Sequence, residues 1–363
     1  MARLSDRVRA LVQPRLADIE PYDPNFTPCR INLSANENTY PVPDGVRERV
    51  DAALASTPLN RYPGPMSHAL RAEIAARHGV APACVCVGNG GDELLYNFLL
   101  AFGGRASQLL VCPPCFSEYE FFASLTQTPV RRAGRDPRTF ELDEEAVLAS
   151  AHWSKLAVVT SPNNPTGGLV PLPFVERLCH VCRGLVMVDE AYIEFAGEDA
   201  SAARLLDRHP NLVVLRTLSK AFGAAGIRCG YVLAAPDVIE AFAAVRQIYS
   251  VNVLSQAAAL ALVESRAEFT PVVGRIVAER ERMFAALSAD PRVKVWPSRA
   301  NFLLVRMPMA SRIRERLRDE CSMLVRDFSY APGLEGCLRI TVGTPEENDE
   351  VLAALSALLD EEA

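Results

Sequence analysis

The feature that most constrains the fold is a repeated alternation of short apolar runs with helical patterns between Asn60 and Leu260. The runs do not alternate with polar residues, as expected for strands that are buried on both faces of a sheet. Such an order predicts an α/β fold in which helices cover both faces of a mostly parallel sheet. The predicted strands are Cys84–Val87, Gln108–Cys112, Leu156–Thr160, Gly184–Val188, Asn211–Leu215 and Gly230–Ala234.

The pattern changes after Leu260, where one long helix over Pro271–Leu287 precedes more widely spaced strands. This change predicts a second, smaller α+β domain. We therefore divide the chain into an N-terminal arm with part of the small domain (1–45), a large α/β domain (46–262) and a small C-terminal domain (263–363). The predicted strands of the small domain are Val293–Trp296, Asn301–Val305 and Leu338–Val342, and a closing helix starts at Glu346.

Charge and hydropathy exclude several classes of protein. The formal net charge of −6 argues against a nucleic-acid-binding protein, because binding to phosphates requires clustered Lys and Arg. No apolar run approaches the roughly 18 residues that span a bilayer, so no membrane association is expected. The N-terminus lacks the apolar region and cleavage site of a signal peptide, which favours a cytoplasmic protein.

The ten cysteines and five histidines do not predict a metal site. Two Cys-x-x-Cys pairs occur, Cys112 with Cys115 and Cys179 with Cys182, but they are much further apart than the pairs of a typical zinc site. No histidines share a metal-binding spacing. Buried, reduced thiols in a cytosolic enzyme are the expected state, and we predict no metal.

Polar and glycine-rich segments follow four of the predicted strands. In open α/β sheets, ligands bind beyond the carboxyl ends of the strands, so these segments are expected to form one site. They are Gly88–Glu93, Ser161–Gly168, Asp189–Tyr192 and Thr217–Arg228.

The segment Thr217–Arg228 contains a lysine, Lys220, just beyond a buried strand. Burial lowers the pKa of a lysine and makes its neutral, nucleophilic amine accessible. The nearby hydroxyls and Arg228 can hold a phosphate. A lysine that forms a Schiff base beside a phosphate site is what pyridoxal 5′-phosphate requires. The alternative is an ordinary surface loop.

The other three segments complete such a site. Asp189 can face the pyridine nitrogen of the cofactor, and Tyr192 can donate to its phenolic oxygen. An alternative role for Asp189 is to cap the next helix. The Asn- and Pro-rich turn can present the amide of Asn164, and the glycines at 88–91 let backbone N–H groups approach a phosphate at a helix N-terminus.

Longer strings of residues resemble one family. The chain resembles the fold-type I pyridoxal-phosphate aminotransferases of the aspartate aminotransferase superfamily, and within them the histidinol-phosphate aminotransferases. The resemblance covers nearly the whole chain. It is carried by Asn36-Glu37-Asn38, Arg61-Tyr62-Pro63, Arg216–Tyr231 and Cys337–Thr344.

The resemblance implies roles for the residues that match the family motifs. Lys220 carries the cofactor as a Schiff base and moves a proton during the reaction, and Asp189 and Tyr192 are the other catalytic residues. Tyr62 reaches the cofactor phosphate of a neighbouring subunit, which implies a homodimer with shared active sites. The cofactor-binding residues are Lys220, Asp189, Asn164, Tyr192, Phe116, Gly91, Asp92, Thr217, Ser219, Arg228 and Tyr62.

For the substrate, the resemblance implies that Arg339 binds the carboxylate of the amino acid. Arg326 matches an arginine that contacts the phosphate or the distal carboxylate of the substrate. Asn38 and, from the other subunit, Tyr249 complete the substrate-binding residues. The chain departs from relatives at Phe116, where many have Tyr, and at Gly64, where Asp is usual.

The resemblance therefore implies a ping-pong transaminase of histidine biosynthesis with histidinol phosphate and 2-oxoglutarate or glutamate as substrates. Within the same chemistry, an aromatic amino-acid aminotransferase or a specialised-pathway enzyme is the alternative. A decarboxylase of a phosphorylated amino acid is a different reaction on the same fold. A non-enzymatic regulatory domain that binds the cofactor is the fourth alternative, although the chain offers no room for an added DNA-binding region.

Overall fold

Two sheets organise the computed structural model, which describes residues 5–13, 16 and 27–362. The remaining residues of the predicted N-terminal arm lie outside the described part. The described strands are β1 (Ile31–Leu33), β2 (Val85–Gly88), β3 (Leu109–Val111), β4 (Val130–Arg132), β5 (Leu156–Thr160), β6 (Leu185–Asp189), β7 (Leu212–Thr217), β8 (Gly230–Leu233), β9 (Lys294–Val295), β10 (Phe302–Arg306), β11 (Met323–Asp327) and β12 (Cys337–Thr341).

The larger sheet has the order β2-β8-β7-β6-β5-β3-β4. Strands β3 to β7 pair in parallel, and β8 runs antiparallel to both of its neighbours, β2 and β7. The residues of β5 and β7 are buried throughout, in agreement with their uninterrupted apolar sequences. The predicted α/β fold with a mostly parallel sheet is confirmed. Its parallel strands all end at one edge, so the polar segments that follow them meet there.

The smaller sheet has the order β1-β11-β12-β10-β9 and is antiparallel except for the pairing of β1 with β11. Strand β1 comes from the N-terminal segment, so residues from both ends of the chain build this sheet. The boundaries proposed between the domains, at 45/46 and 262/263, remain predictions.

Helices pack on the sheets and cover the core. The described α-helices are α1 (Asp6–Arg9), α2 (Asp44–Ala55), α3 (His68–His78), α4 (Gly90–Phe102), α5 (Glu118–Leu125), α6 (Glu144–Ala151), α7 (Leu172–Val181), α8 (Pro236–Val245), α9 (Val253–Glu264), α10 (Thr270–Ser288), α11 (Ala310–Asp319) and α12 (Pro345–Glu361). The longest, α10 and α12, pack against each other beside the smaller sheet. A capping box between Thr344 and Glu347 fixes the start of α12.

Each strand predicted from an apolar run is present, with ends that differ from the prediction by at most two residues. Three strands, β1, β4 and β11, were not predicted. Strand β4 reads Val-Arg-Arg at the edge of the larger sheet and has no apolar pattern to reveal it. Among the residues that the structure describes, no helix is both long and apolar enough to cross a membrane.

Candidate active site

The four polar segments converge on one cavity of about 1040 Å³ at the carboxyl edge of the larger sheet. All but three of the predicted site residues line it. Those that do are Gly91, Asp92, Phe116, Asn164, Asp189, Tyr192, Thr217, Ser219, Lys220, Arg228, Arg326 and Arg339. The smaller sheet contributes Arg326 and Arg339, which are paired across β11 and β12.

Lys220 lies just beyond the end of β7, on the wall of the cavity. Its Nζ donates to the backbone oxygen of Ala35 at 2.8 Å and lies 5.9 Å from the centre of the Tyr192 ring. Burial, assisted by the positive charge of Arg339, lowers the pKa of Lys220 to about 8. The amine therefore loses its proton, and becomes nucleophilic, at a lower pH than that of an ordinary lysine.

Asp189 ends β6 and is 4% exposed. Its Oδ2 accepts a hydrogen bond of 2.7 Å from the hydroxyl of Tyr119, which also contacts the Thr160 hydroxyl at 2.7 Å. Its Oδ1 accepts from the backbone N–H of Ala191 at 3.1 Å. Burial raises the pKa of Asp189 to about 6, although both hydrogen bonds oppose that rise.

Tyr192 is fixed by contacts from the N-terminal segment and the smaller sheet. Its hydroxyl accepts a hydrogen bond of 3.0 Å from Asn36 Nδ2, and its ring packs edge-on against Phe302. Asn36 is itself held by Thr341 and Asn301 and adopts a left-handed conformation with φ of 55°. Because these groups come from distant parts of the chain, the position of Tyr192 depends on both sheets.

A second group of side chains lines the same cavity at the start of α4. Arg228, with φ of 49°, places Nη2 3.2 Å from Asp92 Oδ2. Gly90 has φ of +84°, a conformation that favours glycine, and a Cβ atom there would lie 2.7 Å from Arg228 Nη2. Beside it, the Thr217 hydroxyl donates to Ser219 Oγ at 2.9 Å.

Arg339 connects the smaller sheet to the cavity. Its Nη1 donates to Asn164 Oδ1 at 2.6 Å and its Nη2 to the backbone oxygen of Ser34 at 2.5 Å. The guanidinium also lies 5.4 Å from the ring centres of both Phe302 and Phe328. Since the oxygen of Asn164 accepts from Arg339, the amide N–H groups are the donors that Asn164 can offer a ligand.

Three predicted site residues lie outside the residues that line the cavity. Tyr62 is 81% exposed and stacks on Tyr249, with ring centres 4.6 Å apart. Exposed aromatic residues at such a position suit a contact with another subunit. Asn38 uses its amide to bond the backbone at Ala221 and Tyr40. Roles of these three residues in binding remain predictions.

The residues present fit pyridoxal phosphate. The buried carboxylate of Asp189 forms no ion pair within the described residues, and a protonated ring nitrogen would offset the cost of burying it. Arg228, which lies against Gly90, and the hydroxyls of Thr217 and Ser219 offer hydrogen-bond donors for a phosphate. Lys220 supplies a reactive amine on the same cavity wall.

A buried ion network supports the strand ends that carry these groups. Arg216, in β7, is fully buried and contacts Glu190, Glu194 and Glu198 at 2.8, 3.2 and 3.0 Å. Glu190 directly follows Asp189, and Arg216 directly precedes Thr217. The network therefore joins the ends of β6 and β7 behind the cavity.

Sequence reasoning missed Tyr119, Thr160 and the two arginines Arg132 and Arg135, which also line or support the site. One sequence signal for Tyr119 was available, because it follows Phe116 by three residues. In the structure its ring packs edge-on against that of Phe116. Nothing local marked Arg135, since it follows a strand that the sequence did not reveal.

Comparison with known proteins connects this geometry to one family. The profile of the family described as aminotransferase class I and II matches residues 30–355. Histidinol-phosphate aminotransferase of Thermoanaerobacter pseudethanolicus is 34% identical over 355 residues, which cover 97% of this chain and 99% of that relative.

Solved structures share the fold over nearly the whole chain. Histidinol-phosphate aminotransferase from Sinorhizobium meliloti, in complex with pyridoxal-5′-phosphate, has a TM-score of 0.87 at 25% identity and covers 100% of both chains. L-threonine-O-3-phosphate decarboxylase from Porphyromonas gingivalis has a TM-score of 0.80 at 27% identity, covering 91% of this chain and 99% of that chain.

Proposed function

We propose that this chain, which belongs to the class I and II aminotransferase family, is a pyridoxal-phosphate-dependent transaminase that uses histidinol phosphate and 2-oxoglutarate. The similarity to histidinol-phosphate aminotransferases along 97% of the chain supports the choice of substrates. The observation that carries the chemistry is the convergence of Lys220, Asp189 and Arg339 on one cavity.

The cofactor, when bound, supplies an aldehyde and a ring that withdraws electrons from the α-carbon of the substrate. Lys220 provides the amine that holds the cofactor. Its Nζ afterwards accepts the α-proton of the amino donor and, in the second half of the reaction, delivers a proton to the α-carbon of the acceptor. Asp189 keeps the ring nitrogen protonated. Tyr192 and Asn164 orient the ring oxygen, and Arg339 binds the α-carboxylate of glutamate or 2-oxoglutarate.

A homodimer with shared sites is part of the proposal. The stacked, exposed pair Tyr62 and Tyr249 lies outside the cavity of its own chain and is available to a second copy. Mixing Lys220→Ala with Tyr62→Ala subunits tests this arrangement, because a hybrid dimer contains one site with both defects and one with neither. Activity that exceeds that of either variant alone supports shared sites, and its absence argues against them. The cytoplasmic location inferred from the sequence remains a prediction.

The function is tested by following glutamate formation from 2-oxoglutarate with a panel of amino donors. Histidinol phosphate is expected to have the highest kcat/KM. Equal efficiency with phenylalanine would point instead to an aromatic aminotransferase. Release of CO2 from a phosphorylated amino acid without glutamate formation would identify the decarboxylase alternative. Lys220→Ala is expected to abolish turnover in every case.

A further inference from the structure

The charge on the cavity wall is unevenly balanced. Six cationic and four acidic side chains line it, which favours anionic ligands. The cations are Arg132, Arg135, Lys220, Arg228, Arg326 and Arg339, and the acids are Glu37, Asp92, Glu120 and Asp189. Some of these charges already balance each other. Arg228 pairs with Asp92, and Arg132 is bound by both carboxylate oxygens of Glu120.

Arg135 differs from these neighbours because the described residues give it no carboxylate partner. It is 9% exposed, and within the described part of the chain its guanidinium donates only to backbone oxygens, those of Cys112 and Phe140, each at 3.2 Å. Its Nη2 is shielded from water and donates to no acceptor among the described residues. Burial lowers the pKa of Arg135 below its ordinary value, although a guanidinium stays charged at neutral pH.

Two other deeply buried arginines have carboxylate partners. Arg216 contacts three glutamates, and Arg280 pairs with Glu281 at 2.7 Å. Both lie away from the cavity. Leaving a buried cation without an opposite charge costs free energy, since backbone carbonyls replace only part of its hydration. Arg135 lines the cavity, so an anion bound there can offset part of this free-energy cost.

The surroundings of Arg135 strengthen its attraction for an anion. The cavity wall beside it is formed by Pro113, Pro137 and Phe140, and Leu334 lines the same cavity from the small-domain side. Phe140 and Leu334 belong to one apolar cluster with Trp296. An apolar wall lowers the local dielectric, so an ion pair formed there is stronger than one at the surface.

We propose that Arg135 binds the second oxyanion of the substrate, the group remote from the α-carbon. That group is the phosphate monoester of the amino donor or the distal carboxylate of 2-oxoglutarate. The inference rests on the proposed function, which requires both of these substrates to use one cavity. It assigns to Arg135 a specificity role that the resemblance gives to Arg326 alone.

The first test is calorimetric titration of the cofactor-saturated enzyme with glutarate and with pentanoate. These acids have the same chain length, but pentanoate lacks the distal carboxylate. Arg135→Gln is expected to raise the Kd of glutarate about tenfold or more, the usual effect of losing a hydrogen bond to a charged group. The Kd of pentanoate should change by less than about twofold, because pentanoate has no second oxyanion for Arg135 to bind.

A second measurement distinguishes binding of the donor's phosphate from binding of the distal carboxylate. It compares KM for histidinol phosphate with KM for histidinol, at saturating 2-oxoglutarate, in wild type and Arg135→Gln. A selective rise in KM for histidinol phosphate assigns the phosphate to Arg135. A change confined to glutarate assigns the distal carboxylate alone. Arg131→Gln is the matched control, because Arg131 belongs to the same strand, bonds Gln108 and is not among the residues that line the cavity, and it should leave the affinities for all four ligands unchanged.

Equal weakening of glutarate and pentanoate would assign Arg135 a purely structural role. No weakening of either glutarate or histidinol phosphate would leave the second oxyanion to Arg326. Either result overturns the proposal. If Arg135→Gln does not fold, Arg135→Lys is the second variant. It keeps the charge but loses the planar geometry, so the Kd of glutarate should rise more than the Kd of pentanoate. Equal weakening of the two acids in a stable Lys variant would also count against the assignment.

The two proposals fail in different ways. If the wild type does not transaminate histidinol phosphate but Arg135→Gln selectively weakens glutarate, the substrate assignment is wrong and the anion site stands. If the wild type transaminates histidinol phosphate and Arg135→Gln binds every ligand as the wild type does, the function stands and the anion site is wrong.

Discussion

The hydroxyl of Tyr119 donates a hydrogen bond of 2.7 Å to Oδ2 of Asp189, and both side chains are buried. Tyr119 also contacts Thr160, which lies at the same edge of the sheet one strand away. Helix α5 thus fixes the orientation of a carboxylate at the end of β6. Without this bond, the backbone N–H of Ala191 would be left to oppose the effect of burial on the pKa of Asp189.

Removing that hydroxyl tests its importance. In Tyr119→Phe, the carboxylate of Asp189 loses a charge-assisted donor, so its pKa rises and its attraction for a protonated ring nitrogen falls. We expect the Kd of pyridoxal phosphate, measured by fluorescence titration of the apoenzyme, to rise about tenfold. Tyr96→Phe, on a different helix, is the control and should keep the wild-type Kd. An unchanged Kd in Tyr119→Phe would show that Asp189 needs no such support.

The raised pKa of Asp189 predicts that its carboxylate lowers the stability of the apoenzyme in a pH-dependent way. Its pKa is about 6 in the folded protein, against an ordinary value of 3.8 for an aspartate in water. Between these values the folded state binds more protons, so stability falls as the pH rises from about 4 to about 6. Asp189→Asn removes this cost and should raise the Tm of the apoenzyme above about pH 6.5, with little difference near pH 4. If the Tm difference between variant and wild type does not vary with pH, the raised pKa of Asp189 is not its cause. The variant should also lose its ability to retain the cofactor.

Lys220 should react with amine reagents at lower pH than an ordinary lysine. The chain has three lysines, Lys155, Lys220 and Lys294, so each can be followed separately by mass spectrometry. With trinitrobenzenesulfonate and apoenzyme, the rate at Lys220 should increase with a midpoint near pH 8, where its amine loses its proton. The other two lysines report general changes in the reagent. A rate at Lys220 that rises steadily beyond about pH 10, as for an ordinary lysine, would argue against the lowered pKa.

The ion network around Arg216 predicts a large structural effect. Arg216→Met leaves three glutamates near a buried site without their cation, and we expect the free energy of unfolding to fall by about 3–5 kcal/mol. Urea unfolding of the apoenzyme measures this loss. Arg318→Met, which removes a surface arginine paired with Asp319, should leave the free energy of unfolding close to that of the wild type. Similar losses in both variants would mean that the buried network contributes no special stability.

The sequence revealed those parts of the site that follow apolar strands. Lys220, Asp189 and Asn164 each lie at or just after the end of such a strand, so one local pattern located them and the parallel sheet brought them together. The contact of Asn36 with Tyr192 could not be predicted in this way, because it joins residues 156 positions apart through the smaller sheet.

Arg135 shows a different limit. It follows β4, whose residues include two arginines and no apolar alternation, so neither the strand nor the residues after it had a recognisable signal. Its importance depends on the absence of a carboxylate among the described groups packed around it. That property belongs to the assembled structure and cannot be read from neighbouring positions in the chain.

The parallel pairing of β1 with β11 also determines when the site can form. Across 292 positions of sequence, the backbone N–H of Arg30 bonds the hydroxyl of Ser322 beside this pairing. At a synthesis rate of about 5–20 residues per second, the segment that carries Asn36 must wait roughly 15–60 s for its partner strand to be made. Strands β2 to β8 are complete long before that time. A nascent chain that has made β8 but not β11 therefore carries a finished Lys220 strand end and an unfinished cavity.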